Sequence, residues 1–188
     1  LSGKQAALMS KSSLLEFLSI CKKYKVMVAV GNPIMDVALT GGKKIVDGYL
    51  SQLADYGIEI VEISAIARSL DDDDTCHLIE IASKKGIKVI NEIGFAFAHS
   101  KVTEEMIFPE RVIQQSRKFL AAGSWKILLE SEGLTENLDG EEFRWRLIDR
   151  IISPLELNQF MVEADDQDVL SKYIEIYGPN INMMIDYS

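Results

Sequence analysis

Strand-like and helix-like segments alternate along the whole of this 188-residue chain, and the strand-like runs end on an acid. Val61-Glu62-Ile63-Ser64, Asn91-Glu92-Ile93-Gly94, Leu129-Glu130-Ser131-Glu132 and Val162-Glu163-Ala164-Asp165 each close around a glutamate, and Met183-Met184-Ile185 closes on Asp186. In a parallel α/β fold all strand C-termini share one face, and such folds carry their chemistry there. The pattern therefore predicts a sheet with acids gathered at one end.

Uninterrupted apolar, β-branched runs predict strands over 25–30, 58–64, 87–93, 125–130, 158–163 and 181–186. Apolar stripes at helical spacing predict helices over 10–24, 43–56, 71–85, 104–122, 141–152 and 165–177, with Gly57, Gly86, Gly123 and Gly178 as stop signals. Gly31-Asn32-Pro33 reads as the end of the first strand. Six strands and six helices in strict alternation specify a parallel sheet with helices outside. A (β/α)8 TIM-type barrel takes eight strands and about 250 residues, so the expected fold is such a barrel without its first and last strands, 1–188 forming a single domain. The alternative is an open doubly wound sheet, which the lack of a Gly-rich dinucleotide turn disfavours.

The net charge of -9 argues against a nucleic-acid groove or an anionic membrane surface. It leaves room for a small anionic carboxylate or phosphate substrate, because a bound metal reverses the sign locally. No apolar run approaches the roughly 20 residues of a membrane span. Cys21 and Cys76 fall inside helix-like segments and form no disulfide framework, which points to a reducing, cytoplasmic setting. No signal-peptide pattern is visible after Leu1, although a start at Leu rather than Met leaves the true N-terminus open.

Side chains alternate along a strand, so Glu62 shares a face with Ile60 and Ser64, Glu130 with Leu128 and Glu132, and Glu163 with Met161 and Asp165. Acids converging there would raise one another's pKa unless a cation neutralised them. With oxygen ligands plentiful and no Cys or His pair placed for zinc, Mg²⁺ is the expected occupant, held by Glu62, Glu92, Glu130, Glu163 and Asp186. The plainer reading of any one such acid is a helix cap or a partner for a lysine on the next strand. For Asp71 to Asp74 the plainer reading prevails, since acids in a first turn are favoured by capping and by the helix dipole. His77 lies inside a helix, and His99 in a loop at the acid-bearing face. Lys88 and Lys126 lie at strand starts, the face that serves stability.

The order of the motifs resembles the phosphosulfolactate synthase family, including its eukaryotic branch of plant heat-stress-associated proteins, over essentially the whole chain. Val30-Gly31-Asn32-Pro33-Ile34-Met35-Asp36 stands where the family has Pro-Gly-Gly-Thr-Leu-Phe-Glu. Val61-Glu62-Ile63-Ser64 matches Val-Glu-Ile-Ser, and Asn91-Glu92-Ile93-Gly94 matches Ser-Glu-Val-Gly. Ala121-Ala122-Gly123 with Glu130, Met161-Val162-Glu163-Ala164 and Gly178-Pro179-Asn180-Ile181-Asn182 match in the same order. Glu130 to Asn137 and Ile185 to Ser188 are most similar to the eukaryotic branch.

The resemblance implies a TIM-type barrel and a Mg²⁺-dependent addition of sulfite to phosphoenolpyruvate. It implies catalytic roles for Glu62, Glu92 and Glu130, and substrate contacts at Gly31, Asn32, Ser64 and Ser131. The family lysine after the glycine is replaced here, in Glu92-Ile93-Gly94-Phe95-Ala96, and no arginine follows Glu130. Lys101, in the same loop, is the expected substitute as acid/base. A non-catalytic barrel acting through protein interaction in stress tolerance is the competing expectation, and a generic aldolase or isomerase a third. A homo-oligomer is compatible with either of the first two.

Overall fold

The computed structural model describes residues 8–64, 70–95, 108–136, 138, 142–164 and 166–185. Lys101, Asp186, His99 and Asp165 lie outside the described residues. The described elements are α1 (Lys11–Lys23), β1 (Ala29–Val30), α2 (Asn32–Thr40), α3 (Lys43–Tyr56), β2 (Ile60–Ser64), α4 (Asp72–Lys84), β3 (Lys88–Ile93), α5 (Pro109–Ala122), β4 (Lys126–Leu129), α6 (Trp145–Ile152), β5 (Phe160–Ala164), α7 (Gln167–Tyr177) and β6 (Met183–Ile185), with a 3-10 turn at Leu157–Gln159.

Local chemistry sets the boundaries of these elements. Ser10 caps α1, its side chain accepting from the Ser13 N–H, and Asp71 caps α4 by accepting from the Asp74 N–H at 2.7 Å. Gly57 and Gly123 end α3 and α5 in the left-handed region, at φ 77° and 108°, which costs a glycine little. Pro109 opens α5 and Pro33 lies in the first turn of α2, where proline's missing N–H has no helical partner to lose.

All six strands pair in parallel, in chain order β1-β2-β3-β4-β5-β6. Parallel crossovers share one hand, so sequential order stacks the helices on one side and curls the sheet around the other. The result is a six-stranded half-barrel of TIM type. Alternate strand residues face the helices: Val61, Ile63, Val89, Ile93, Ile127, Leu129 and Val162 pack with Leu50, Ile79, Phe119, Ile151 and Tyr173 in the main core. Each such side chain, fully buried, contributes about 1.5–3 kcal/mol. The intervening residues face inward, where Ile60, Ile90 and Leu128 are 5%, 3% and 2% exposed beneath Ala29, Trp125, Met161 and Met184.

The helices expected from 104 and 141 begin at Pro109 and Trp145, and two further elements differ from expectation. Helix α2 occupies 32–40, a stretch read only as a strand terminator. The first strand shrinks from 25–30 to Ala29–Val30 because Lys25, at φ 59°, turns the chain out of α1 and leaves Val26 and Met27 exposed.

Candidate functional site

The inward face carries polar groups at its two ends and an apolar layer between them. At the strand starts Lys88 and Lys126 lie over the Trp125 ring, 4.7 and 5.3 Å from its centroid. Next come Ile60, Ile90 and Leu128, and beyond these, toward the strand C-termini, Glu62, Glu92, Glu130 and Glu163. The register places Ser64 opposite Glu92, Glu92 opposite Leu128, and Glu163 opposite Met184. Glu62, opposite Ile90, is therefore a diagonal neighbour of Glu92. Lys88 is four residues below Glu92 on the same strand, about 13 Å away, and does not neutralise it.

The four glutamates form a row, carboxyl beside carboxyl. The carboxyls of Glu62 and Glu92, of Glu92 and Glu130, and of Glu130 and Glu163 lie near enough to act on one another. At one end the Asn32 N–H donates to Glu62 Oε1 at 3.4 Å, and Ser64 Oγ donates to Glu92 Oε1 at 2.9 Å. At the other end the Ser131 N–H donates to Glu163 Oε2 at 3.3 Å. Ser131 Oγ lies 3.1 Å from that same oxygen and 2.9 Å from Glu136 Oε2. A tight turn builds this corner, with the N–H groups of Leu134, Thr135 and Glu136 all converging on the Ser131 carbonyl. Arg144 braces the turn by donating from Nη1 to the Gly133 carbonyl at 2.7 Å.

A carboxylate has no proton to donate, so neighbouring carboxyls in such a row repel unless protons or a cation lie between them. Glu92 and Glu130 are each pushed up to about 7. Burial over the apolar layer is the largest cause for both; repulsion from Glu62 and Glu163 adds to it at Glu92, and from Glu92 and Glu132 at Glu130. Burial also raises Glu62, partly offset by the N–H of Asn32. Ser131 has a single hydroxyl proton within reach of two carboxyl oxygens, one on Glu136 and one on Glu163.

The donor set fits a hard divalent cation in kind: oxygen only, on half-buried carboxyls. The acids lie side by side, and among the described residues no group of three His, Cys, Asp or Glu side chains is gathered to hold a metal ion. Among the same residues no helix is long and apolar enough to cross a membrane.

Of the expected site residues, Glu62, Glu92, Glu130, Glu163, Asn32, Ser64 and Ser131 come together, and Gly31 precedes them as the N-cap of α2. Lys101 and Asp186 fall outside the described residues. His77 is exposed on α4, away from the row. Glu136 was not anticipated as a neighbour of the row. It is linked to Glu163 through Ser131 Oγ, and strand periodicity gives no signal for a loop residue of that kind.

The fold and sequence have known counterparts. Protein HEAT-STRESS-ASSOCIATED 32 of Arabidopsis thaliana is 20% identical over 204 residues, covering 100% of this chain and 70% of the relative. The phosphosulfolactate synthase of Methanothermobacter thermautotrophicus is 21% identical over 177 residues, covering 92% and 67%. Among solved structures, the D-psicose 3-epimerase of Clostridium cellulolyticum superposes with a TM-score of 0.57 at 10% identity, covering 98% of this chain and 72% of that one. The tryptophan synthase A-subunit of Pyrococcus furiosus does so with a TM-score of 0.56 at 13% identity, covering 95% and 63%. These two likenesses speak to the barrel fold alone. The profile of (2R)-phospho-3-sulfolactate synthase (ComA) matches residues 1–188 in full, and the chain belongs to that family.

Proposed function

We propose that this protein is a phosphosulfolactate-synthase-like lyase of a small anionic carboxylate, joining sulfite to phosphoenolpyruvate with Mg²⁺ at the glutamate row. The observation that carries the reading is the row itself: four inward carboxyls, side by side, at the strand C-termini of a half-barrel. In this reaction the sulfite sulfur bonds to the methylene carbon of the substrate, the double bond opens toward the carboxylate, and C2 takes a proton. When bound, Mg²⁺ would supply positive charge for the substrate carboxylate and the enolate-like charge that develops on it.

The residues divide the remaining work. Glu62 and Glu163 accept backbone N–H groups, which orient their carboxyls and suit them as metal ligands. Glu92 and Glu130, each pushed up to about 7, exchange protons near neutral pH, and either can deliver one to C2 in place of the family lysine. The apolar layer of Ile60, Ile90 and Leu128 keeps water from beneath the reacting atoms.

A second reading, a non-catalytic barrel acting through protein contacts in stress tolerance, draws support from Phe95, buried two residues after Ile93 near the position of the family lysine. The similarity to a heat-stress-associated protein adds to that support. One assay separates the readings. Purified protein with sulfite, phosphoenolpyruvate and Mg²⁺ is expected to form phosphosulfolactate, with Glu130→Gln at least 100-fold slower. No product at any metal concentration would leave the interaction reading standing.

A further inference from the structure

Asn32 is 8% exposed, and each of its polar groups is turned toward protein. Its N–H reaches Glu62 Oε1 at 3.4 Å, its Oδ1 accepts the Ser64 N–H at 3.2 Å, and its Nδ2 donates to Asp36 Oδ2 at 3.3 Å. Ser64 extends the linkage to the next strand, since its Oγ donates to Glu92 Oε1 at 2.9 Å. A primary amide can accept from an N–H through its oxygen and donate to a carboxylate through its nitrogen at the same time.

The topology explains why such a residue is placed here. Strand β1 pairs with β2 only at Ala29↔Ile60 and Val30↔Val61. The ladder on that side therefore stops before Ser64, which is 2% exposed and whose N–H is accepted by Asn32 Oδ1 instead of by a β1 carbonyl. The Asn32 side chain replaces the missing rung, and in doing so it holds the ends of two acid-bearing strands to the start of α2.

We propose that Asn32 is a positioning residue that fixes the placement of the Glu62 and Glu92 carboxyls in the row, rather than a group that touches substrate. Its expected consequence for Mg²⁺ rests on the function proposed above, whereas the placement itself does not.

The test uses the full chain labelled with ¹³C at glutamate carboxyls, with the Glu62 and Glu92 resonances assigned by single Glu→Gln substitutions. In Asn32→Ala both resonances are expected to move, and the Ser64 amide to exchange at least tenfold faster. Asn32→Asp keeps the acceptor for Ser64 but sets a carboxylate against Asp36. Adding Asp36→Asn exchanges donor and acceptor and is expected to return both resonances close to wild type. If Asn32→Ala does not fold, the Asp variant and the double variant decide the matter by the same readout. Unmoved Glu62 and Glu92 resonances, or a double variant that fails to restore them, would overturn the proposal. Calorimetry with Mg²⁺ supplies the separate arm, with affinity expected to fall about 10–100-fold in Asn32→Ala. Wild-type protein that takes up no Mg²⁺ would sink the metal reading while the resonances still judge Asn32.

Discussion

Glu92 and Glu130 occupy the middle of the row, where each has a carboxyl neighbour on both sides. Their folded-state pKa of about 7 lies well above the 4.5 of an unperturbed glutamate. Between about pH 4.5 and 7 the folded protein binds protons that the unfolded chain has released, so stability falls as pH rises through that window. Above 7 the loss is complete and the curve flattens with respect to these two groups. Glu92→Gln removes the charge that is costly to bury. At pH 8 without metal it is expected to be more stable than wild type by on the order of 1–3 kcal/mol, and at pH 4.5 nearly equal. Urea denaturation at the two pH values measures this, and a gap of the same size at both would contradict the burial argument. The gain in stability is expected to come with loss of any turnover, because the same unfavourable placement is what makes the group an acid at neutral pH.

At the scale of single elements, α4 shows what the acidic run at its start contributes. Asp71 caps the helix, while Asp72 and Asp73 meet Lys118 of α5 at 3.9 and 2.8 Å. Asp71→Ala is expected to cost about 1 kcal/mol, seen as a lower urea midpoint with an unchanged slope. Gly41 offers a sharper case. A Cβ there would lie 2.6 Å from Ile45 Cγ1, so Gly41→Ala is expected to destabilise by about 1–3 kcal/mol although the backbone itself is ordinary. The elements differ in how plainly the sequence announces them. Strands β2, β3 and β5 are plain in the sequence because buried parallel strands demand apolar, β-branched runs between turn signals. Helix α2 is hidden, since Gly31 and Pro33 signal a break as readily as a helix start, and only the path of the backbone after β1 decides between them. The run Val26-Met27-Val28 misleads in the opposite sense, being apolar yet partly spent on turning the chain out of α1. The glutamates follow from strand register, but Asn32 and Glu136 do not. Their roles arise from where β1 stops and how the Ser131 turn closes, and neither leaves a periodic trace.

Across the whole molecule the charges are segregated by the direction of the strands. The glutamate row lies at their C-terminal ends and Lys88 and Lys126 at their N-terminal ends, with the buried layer of Ile60, Ile90 and Leu128 between. A parallel sheet makes this separation possible, because every strand presents the same end to the same side. The row thus holds a local excess of negative charge far from Lys88 and Lys126, on top of a net charge of -9. Any cation that enters the row in the folded state, and finds no such grouping in the unfolded chain, must stabilise the fold by mass action. At a Mg²⁺ concentration 100 times the dissociation constant the gain is about 2.7 kcal/mol, which for a chain of this size raises the melting temperature by about 5–10 °C. Sodium chloride at matched ionic strength screens surface repulsion but is expected to give only a small part of that rise. Melts of wild type and of Glu130→Gln, each with Mg²⁺ and with matched sodium chloride, separate the two contributions. The Mg²⁺-specific increment is expected in wild type and lost in the variant. Equal increments in both proteins would mean that the cation acts on the surface at large, and the row would then be a store of protons and not a metal site.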